Sequence, residues 1–267
     1  MVVFTLTIIR HGETRYNKEK ILQGQGIDEP LSETGFKQAN AAGIFLSNVR
    51  FTHVFASDLI RAKQTVASIL SKSHFCKEAA VKYDARLRER KYGVAEGKPL
   101  SDLKFMAKVS GEQCPYFTPA GGETLDEIKA RGKDFFEYLC YLVAHEACLE
   151  KQTCPVAEES CFTSLTNYRD GLEDHADSDG TAEMLDASIL VVSHGAFMRS
   201  WIDYLVSDLG CTLPSTLTKT ELFSVSPNTG ISRFIIKLDM REGIKPRIHC
   251  IYLNRVDHLH DKTADRI

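Results

Sequence analysis

The first residues of the chain limit its fold more than any other segment. From Val2 to Ile9 the side chains are apolar or β-branched, and this run leads directly into Arg10, His11 and Gly12. An apolar strand of this kind is typical of a sheet that helices cover on both faces. The sequence therefore predicts a central strand with a basic residue and a histidine at its carboxyl end.

Strand and helix patterns alternate after this strand. Thr52 to Ala56 and Ser188 to Val192 are short apolar runs, and each is followed by apolar residues at helical spacing. Ser32 and Thr124 are positioned to cap two further helices, Thr124 in the capping-box pattern Thr-Leu-Asp-Glu. The predicted apolar faces of the four helices are Phe36, Ala39, Gly43 and Leu46; Ala62, Thr65, Val66, Ile69 and Leu70; Leu125, Ile128, Phe135, Leu139 and Leu142; and Phe197, Met198, Trp201, Ile202 and Leu205.

The end of the chain completes the predicted fold. Gly230 to Leu238 and Arg247 to Leu253 alternate like a closing hairpin or pair of strands. Repeated strand and helix units indicate an α/β fold with a mainly parallel sheet, and ligands bind such sheets beyond the carboxyl ends of the strands. Because His11 and His194 each follow a predicted strand, we expect them to meet at one edge of the sheet.

The composition of the chain excludes several classes of protein. With 267 residues and a formal net charge of −3, the chain is not expected to have a broadly basic nucleic-acid surface. Its apolar runs are shorter than the roughly 20 residues that a membrane span needs, and its start lacks the features of a signal peptide. The eight cysteines form no C-x-x-C pair and no zinc-finger spacing, which favours reduced thiols and a cytoplasmic location.

Residues 150–187 interrupt the alternating pattern. They contain ten acidic and two basic residues with little apolar periodicity, so we predict an exposed, flexible insertion. Since charge runs usually lie in water, its simplest interpretation is a solvated loop without a chemical role. Including this insertion, we expect residues 1–267 to form one domain.

The segment after the first strand suits attack on a phosphate. The neutral imidazole of His11 is a nucleophile, Arg10 offers a fork of donors to phosphate oxygens, and Gly12 lets the backbone approach the ligand. A phosphate anion repels an incoming nitrogen, so further positive donors must surround it. Arg61, near the start of a helix that follows a strand, is the second candidate.

His194 and Glu89 complete the predicted set. A protonated His194 could hold a phosphoryl oxygen. Glu89 carries a carboxyl that a nearby phosphate would keep protonated, so we predict that it donates a proton to the leaving alkoxide and then activates water. Taken singly, each residue has a structural alternative: a core histidine, a surface ion pair or a solvated carboxylate. The joint pattern favours the chemical interpretation.

These motifs resemble those of the histidine phosphatase superfamily, in its phosphoglycerate-mutase-like branch. The matching segments are Ile9 to Thr14, Pro30 to Gly35, Ser57 to Thr65, Leu87 to Glu89, Gly121 to Thr124 and Val192 to Gly195. Within the branch, Leu87 to Gly97 and Cys114 to Thr124 are similar to the fructose-2,6-bisphosphatases.

The resemblance implies a three-layer fold with a mostly parallel six-stranded sheet flanked by helices, a transient phosphohistidine on His11, and no metal or other cofactor. It makes Arg10, Arg61 and His194 the phosphate pocket and Glu89 the proton donor and acceptor. The substrate-side residues that it implies are Asn17, Gln23, Gly24, Tyr92 and Gly195.

The resemblance also implies the substrate class. Family members act on small phosphorylated sugars and glycerates: fructose-2,6-bisphosphate, with fructose-1,6-bisphosphate and 2,3-bisphosphoglycerate also accepted. Lowering the first of these restrains glycolysis and favours the pentose phosphate pathway. The likeness further suggests visits to the nucleus and the mitochondrion.

Two alternatives stay open at this point. A phosphoglycerate mutase shares the pocket but returns the phosphoryl group to a substrate. Arg90 and Tyr92 keep part of the mutase pattern, whereas residues 105–120 contain no arginine that could grip a carboxylate. The second alternative is a non-catalytic regulatory protein with the same fold. The presence of both His11 and Glu89 argues against this alternative.

Overall fold

The apolar first strand lies inside a six-stranded sheet, as its sequence predicts. The computed structural model describes residues 1–153, 185–241 and 245–260. The strands of the described residues are β1 (Val2–Arg10), β2 (His53–Ala56), β3 (Val81–Tyr83), β4 (Ala187–Ser193), β5 (Ile231–Asp239) and β6 (Lys245–Arg255). Their order in the sheet is β3-β2-β4-β1-β5-β6, so β1 is an inner strand.

The sheet is mostly parallel. β3, β2, β4 and β1 run in the same direction, while β5 pairs antiparallel with β1 and β6 pairs antiparallel with β5. This confirms the predicted parallel sheet and its closing pair of strands. It also brings the carboxyl ends of β1 and β4 side by side.

Helices cover both faces of the sheet. They are α1 (Arg15–Glu19), α2 (Glu33–Phe45), α3 (Ile60–Lys72), α4 (Leu100–Val109), α5 (Leu125–Thr153), α6 (Gly195–Asp203) and α7 (Lys219–Leu222). Leu6 of β1 packs in one core with Phe135 of α5 and Trp201 of α6, and Ile9 packs in a second core with Val66 of α3. The three-layer arrangement is therefore confirmed.

Both predicted helix caps form. The Ser32 hydroxyl accepts the amide of Gly35 at 3.1 Å. The Thr124 hydroxyl accepts the Glu127 amide at 3.2 Å, and the Glu127 carboxylate accepts the Thr124 amide at 2.8 Å. These contacts satisfy amides that have no partner within the helix. They place the starts of α2 and α5 where the sequence predicts.

The prediction that Phe36 lies on the buried face of its helix is wrong. Phe36 of α2 is 39% exposed, because the buried stripe of this helix runs through Gly35, Ala39, Ala42 and Gly43. The small residues let α2 approach α3 closely: a Cβ at Gly43 would lie 3.0 Å from the backbone of Ile69. A large Phe36 side chain has no room in this interface.

The predicted insertion is narrower than 150–187. Residues 150–153 belong to α5, and Ala187 already begins β4. Residues 154–184, on which the prediction of a flexible loop falls, lie outside the described residues. The six cysteines that are described carry free thiols, and no described helix is long and apolar enough to cross a membrane.

Candidate active site

The two histidine loops meet at the carboxyl ends of adjacent strands. Arg10 of β1 is in register with Ser193 of β4, and the His11 amide donates to the Ser193 carbonyl at 2.9 Å. The centroids of the His11 and His194 rings lie 5.1 Å apart. The predicted meeting of the two histidines is therefore present.

The imidazole of His11 is held in its neutral form. Its Nδ1 lies 2.7 Å from the carbonyl oxygen of Gly12. A carbonyl only accepts hydrogen bonds, so Nδ1 carries the ring proton and Nε2 keeps its lone pair. Burial, followed by the positive charges of Arg61 and Arg10, lowers the pKa of His11 well below its ordinary value. At neutral pH the imidazole can attack through Nε2.

Gly12 is required by a close approach of two backbone segments. A Cβ at this position would lie 2.5 Å from the carbonyl oxygen of Gly35. The Gly12 amide donates to the Thr65 hydroxyl at 3.0 Å, and that hydroxyl donates to the Arg61 carbonyl at 2.7 Å. The loop of the nucleophile is thereby tied to the helix that carries Arg61.

Arg61 is a fully buried cation in the first turn of α3. Its Nη2 donates to the Gly24 carbonyl at 2.9 Å, its Nη1 to the Ile27 carbonyl at 3.2 Å, and its Nε to Nδ1 of His194 at 3.2 Å. A guanidinium has five N–H donors, so these contacts leave donors for an anion. Burial lowers its pKa to about 10, which keeps it charged at neutral pH.

Arg10 contributes a second cation, which is partly buried. Its Nη1 donates to the Ser226 carbonyl at 2.7 Å, while its Nε is buried and has no hydrogen-bond partner among the described residues. Burial lowers the pKa of Arg10, and the charge of Glu89 opposes this effect. Because an unpaired buried donor is costly, Nε is suited to an anionic oxygen.

His194 is completely buried, and its ring is neutral in the free protein; the protonated ring expected to hold a phosphoryl oxygen stays a prediction. The Nε of Arg61 can only donate, so Nδ1 of His194 carries no proton and the ring proton lies on Nε2. Nε2 lies 2.7 Å from the Ser57 hydroxyl, which accepts this proton. Burial, and then the charge of Arg61, lower the pKa of His194 well below its ordinary value.

The carboxylate of Glu89 lies at the start of α6. Its Oε1 accepts the amides of Arg90 and Phe197 at 2.8 and 2.9 Å, whereas its Oε2 accepts only the amide of Ala196, at 3.2 Å. Oε2 is therefore the oxygen with a lone pair free to carry a proton. The amides and the positive end of the helix stabilise the carboxylate that remains once this proton has left.

All predicted site residues except His194 line one cavity of about 320 Å³. This volume suits a small ligand. The predicted residues in the lining are Arg10, His11, Asn17, Gln23, Gly24, Arg61, Glu89, Tyr92 and Gly195. His194 stands outside the lining and acts on it through Arg61.

The substrate side of the cavity offers polar groups for a sugar. Gln23 donates through Nε2 to the Thr14 hydroxyl at 2.8 Å, and its buried Oε1 has no partner among the described residues. This oxygen is suited to accept a hydrogen bond from a hydroxyl group. Burial, and then the charge of Glu89, raise the pKa of Tyr92, so its phenol stays protonated.

Sequence reasoning missed Glu96, which organises one wall of the cavity. Its carboxylate accepts the amides of Gln25, Gly26 and Tyr92 at 3.1, 2.9 and 2.8 Å. Gly24 has a left-handed φ of 58°, and a Cβ there would lie 2.1 Å from the Glu96 carboxylate. The two glycines of Gly24-Gln25-Gly26 were the available signal, but nothing in the pattern links them to a carboxylate so distant in sequence.

Two further polar residues, Ser57 and Asn228, were also missed. Ser57 fixes the tautomer of His194 as described above. Asn228 lines the cavity and donates through Nδ2 to the His11 carbonyl at 3.0 Å and to Oδ1 of Asn17 at 3.2 Å. Asn228 therefore connects the nucleophile loop to the predicted substrate contact.

Arg90, part of the pattern shared with mutases, does not line the cavity. It is 2% exposed, and its guanidinium donates to the carbonyls of Pro115, Phe117 and Glu123 at 2.7, 2.9 and 2.8 Å. Through these contacts, Arg90 fixes the segment that precedes α5. Within the described part of the chain, no three His, Cys, Asp or Glu side chains are grouped to hold a metal ion.

Comparisons with known proteins agree with this geometry. A model of the histidine phosphatase superfamily (branch 1) matches residues 6–149, more than half of the chain. The fructose-2,6-bisphosphatase TIGAR of Bos taurus is 57% identical over 263 residues, which cover 97% of each chain. The protein of the same name from Mus musculus is 57% identical over 264 residues, again 97% of each chain.

The fold is also similar to that of solved structures. A phosphoglycerate mutase from Bacillus anthracis superposes with a TM-score of 0.67 and covers 97% of this chain and 96% of that chain. Its sequence identity of 19% makes this a likeness of fold alone.

Proposed function

The chain belongs to the histidine phosphatase superfamily, and from this premise we propose that it hydrolyses fructose-2,6-bisphosphate through a phosphohistidine on His11. One observation carries the proposal: the ring proton of His11 is fixed on Nδ1, so its Nε2 is available in a cavity lined by Arg10, Arg61 and Glu89. A nucleophile, two cations and a proton donor are the groups that phosphoryl transfer needs.

In the first half-reaction, Nε2 of His11 attacks the phosphorus atom, and the bond between phosphorus and the sugar oxygen breaks. The electron pair of that bond stays on the sugar oxygen, which takes a proton from Oε2 of Glu89. Donors of Arg10 and Arg61 offset the charge on the phosphoryl oxygens during transfer. The products are the phosphohistidine, a free sugar hydroxyl and the Glu89 carboxylate.

In the second half-reaction, water replaces the sugar. The Glu89 carboxylate removes a proton from the water, whose oxygen attacks the phosphorus while the bond to Nε2 breaks. Inorganic phosphate leaves, and both His11 and Glu89 return to their starting forms. One carboxyl group thus serves as acid and then as base.

The name shared by the bovine and mouse relatives supports the choice of substrate. The cavity is small and carries more positive than negative charge, which suits a phosphorylated sugar. On the same basis we propose that fructose-1,6-bisphosphate and 2,3-bisphosphoglycerate are also accepted. The expected consequences are restraint of glycolysis and support of the pentose phosphate pathway. A cytoplasmic location with visits to the nucleus and mitochondrion, and a single domain over residues 1–267, complete the proposal.

Release of inorganic phosphate tests the proposal. The purified protein is compared with His11→Ala on fructose-2,6-bisphosphate, fructose-1,6-bisphosphate and 2,3-bisphosphoglycerate, side by side. We expect the highest kcat/KM on the first and no turnover by His11→Ala. His145→Ala, at an α5 residue outside the cavity lining, is the matched control and should keep full activity. A wild-type protein inactive on all three substrates would support a regulatory role instead.

The mutase alternative predicts a different product. A phosphoglycerate mutase would move phosphate between hydroxyls of a glycerate without releasing it, so interconversion of 2- and 3-phosphoglycerate at a rate above phosphate release would favour it. The position of Arg90, outside the cavity and bonded to backbone carbonyls, supports hydrolysis. Water access, which decides between the two outcomes, is measured directly by this product ratio.

A further inference from the structure

One cation of the cavity has no part in the mechanism above. Lys20 lines the cavity together with Arg10 and Arg61, but its side chain is exposed, which places it at the mouth. Among the described residues, its ammonium group makes no ion pair and no hydrogen bond. Among the described residues of the lining, Glu89 alone carries a carboxylate, and this carboxylate already accepts hydrogen bonds from backbone amides.

The backbone at Lys20 adds a second observation. This residue ends α1 in the left-handed conformation, with φ 58° and ψ 36°. Such helix ends favour glycine, because a Cβ makes this conformation costly. Its amide donates to the Asn17 carbonyl at 3.2 Å, and its carbonyl accepts the Leu100 amide at 2.8 Å, so the turn is fixed on both sides. The chain thus has a long cationic side chain at a position where the backbone conformation favours glycine.

The other two cations are fixed elsewhere. Arg61 is buried and Arg10 is partly buried, and the contacts with Ser226, Gly24 and Ile27 hold their guanidinium groups beside His11. They serve the phosphoryl group that reacts. A lysine on a flexible four-carbon chain at the mouth can instead reach a charge at the far end of the ligand.

We propose that Lys20 forms a subsite for the second phosphate of a small bisphosphorylated substrate. The inference rests on the proposed function, since it assigns the two phosphates of one ligand to two places in the same cavity. The reacting phosphate lies on Arg10 and Arg61, and the other is held at the mouth by Lys20. The subsite makes the cavity selective for bisphosphates over monophosphates.

Binding to a protein that cannot turn the ligand over tests this subsite. In the His11→Ala background, calorimetry measures the affinities for fructose-2,6-bisphosphate and for fructose 2-phosphate, which keeps the reacting phosphate and lacks the second one. Lys20→Gly suits the left-handed backbone and should fold normally, and Lys20→Gln keeps the Cβ while removing the charge. Both variants should weaken binding of the bisphosphate by about fivefold, as expected for the loss of one solvent-exposed ion pair, and binding of the monophosphate by less than about twofold.

Lys18→Gln is the matched control, because Lys18 is an exposed residue of α1 outside the cavity lining. It should leave the ratio of the two affinities unchanged. The subsite would be overturned if the Lys20 variants lost the same affinity for both ligands or kept full affinity for the bisphosphate. It would also be overturned if Lys18→Gln lost as much affinity for the bisphosphate as the Lys20 variants. A His11→Ala protein that binds the bisphosphate no more tightly than the monophosphate would overturn it as well. The proposed function is tested separately by the turnover of the unaltered protein. The affinities measured in the His11→Ala proteins do not depend on that turnover.

Discussion

The Nε of Arg61 lies 3.2 Å from Nδ1 of His194. This contact joins the buried guanidinium of Arg61 to the second histidine and assigns the ring proton of that histidine to Nε2. Burial, and then the charge of Arg61, lower the pKa of His194. An anionic phosphate beside Arg61 would offset that charge, so we expect His194 to gain affinity for a proton when substrate binds.

The hydroxyl of Ser57 completes this arrangement, so Ser57→Ala should damage it. The buried Nε2–H of His194 would lose its acceptor, at a cost of about 1–3 kcal/mol in the free energy of unfolding. We also expect kcat/KM to fall about tenfold because the ring no longer holds Arg61 in place. Urea unfolding and phosphate release measure the two effects. Ser71→Ala, which removes an exposed hydroxyl bonded to the Ser68 carbonyl, should change neither; full activity in Ser57→Ala would contradict the role.

Glu89→Gln should slow the departure of poor leaving groups. Without a proton donor, kcat on a sugar phosphate should fall about a hundredfold or more. A nitrophenolate leaves without a proton, so p-nitrophenyl phosphate should lose much less in the first half-reaction. Burst kinetics with both substrates separate that step from hydrolysis of the phosphohistidine. Equal losses in the burst rate on the two substrates would exclude Glu89 as the acid.

His11 should remain neutral well into the acidic range. Its pKa is lowered by burial and by the charges of Arg61 and Arg10. The attacking form is the neutral one, so activity contributed by His11 persists as the pH falls through about 6.5, the ordinary histidine value, and is lost only below the lowered pKa. An NMR titration of the imidazole nitrogens checks this. An imidazolium at His11 near pH 7 would refute the assignment.

Glu96→Gln should weaken substrate binding more than turnover. The carboxylate accepts amides of Gln25, Gly26 and Tyr92, and an NH₂ group in place of one oxygen leaves an amide without an acceptor. The resulting displacement of the Gly24 loop should raise KM about tenfold, with kcat within about threefold of wild type. Steady-state kinetics measure both constants. Glu112→Gln changes an exposed carboxylate and should be silent; a fall in kcat at constant KM in Glu96→Gln would place this residue in the chemical step instead.

The sequence predicts the groups that react better than the groups that hold them. Arg10, His11 and Glu89 stand in local motifs, and the strand pattern alone brings His11 to His194. The charge state of His194 escapes prediction because it depends on burial and on Arg61, which lies on a different helix. The same is true of Glu96, whose role arises from contacts across the fold.

Local features also explain why the sequence does not predict strand β3 and why it places Phe36 on the wrong face of its helix. β3 is only three residues long and has two exposed side chains, so it shows no periodicity that could be recognised. Phe36 matches the helical spacing of its neighbours, but the interface of α2 selects small residues. Spacing describes which residues share a face, whereas the fit between two helices decides which face is buried.

The place of β4 between β1 and β2 in the sheet has a consequence for biosynthesis. A nascent chain that has emerged as far as residue 153 already carries His11, Arg61 and Glu89, yet the strand that must separate β1 from β2 has not been made. His194, Ser193 and the amides of Ala196 and Phe197, which donate to Glu89, all arrive with β4 and α6. We therefore expect catalysis to begin only after this late strand has inserted into the middle of the sheet, and a chain that ends before β4 to be inactive although it contains the earlier motifs.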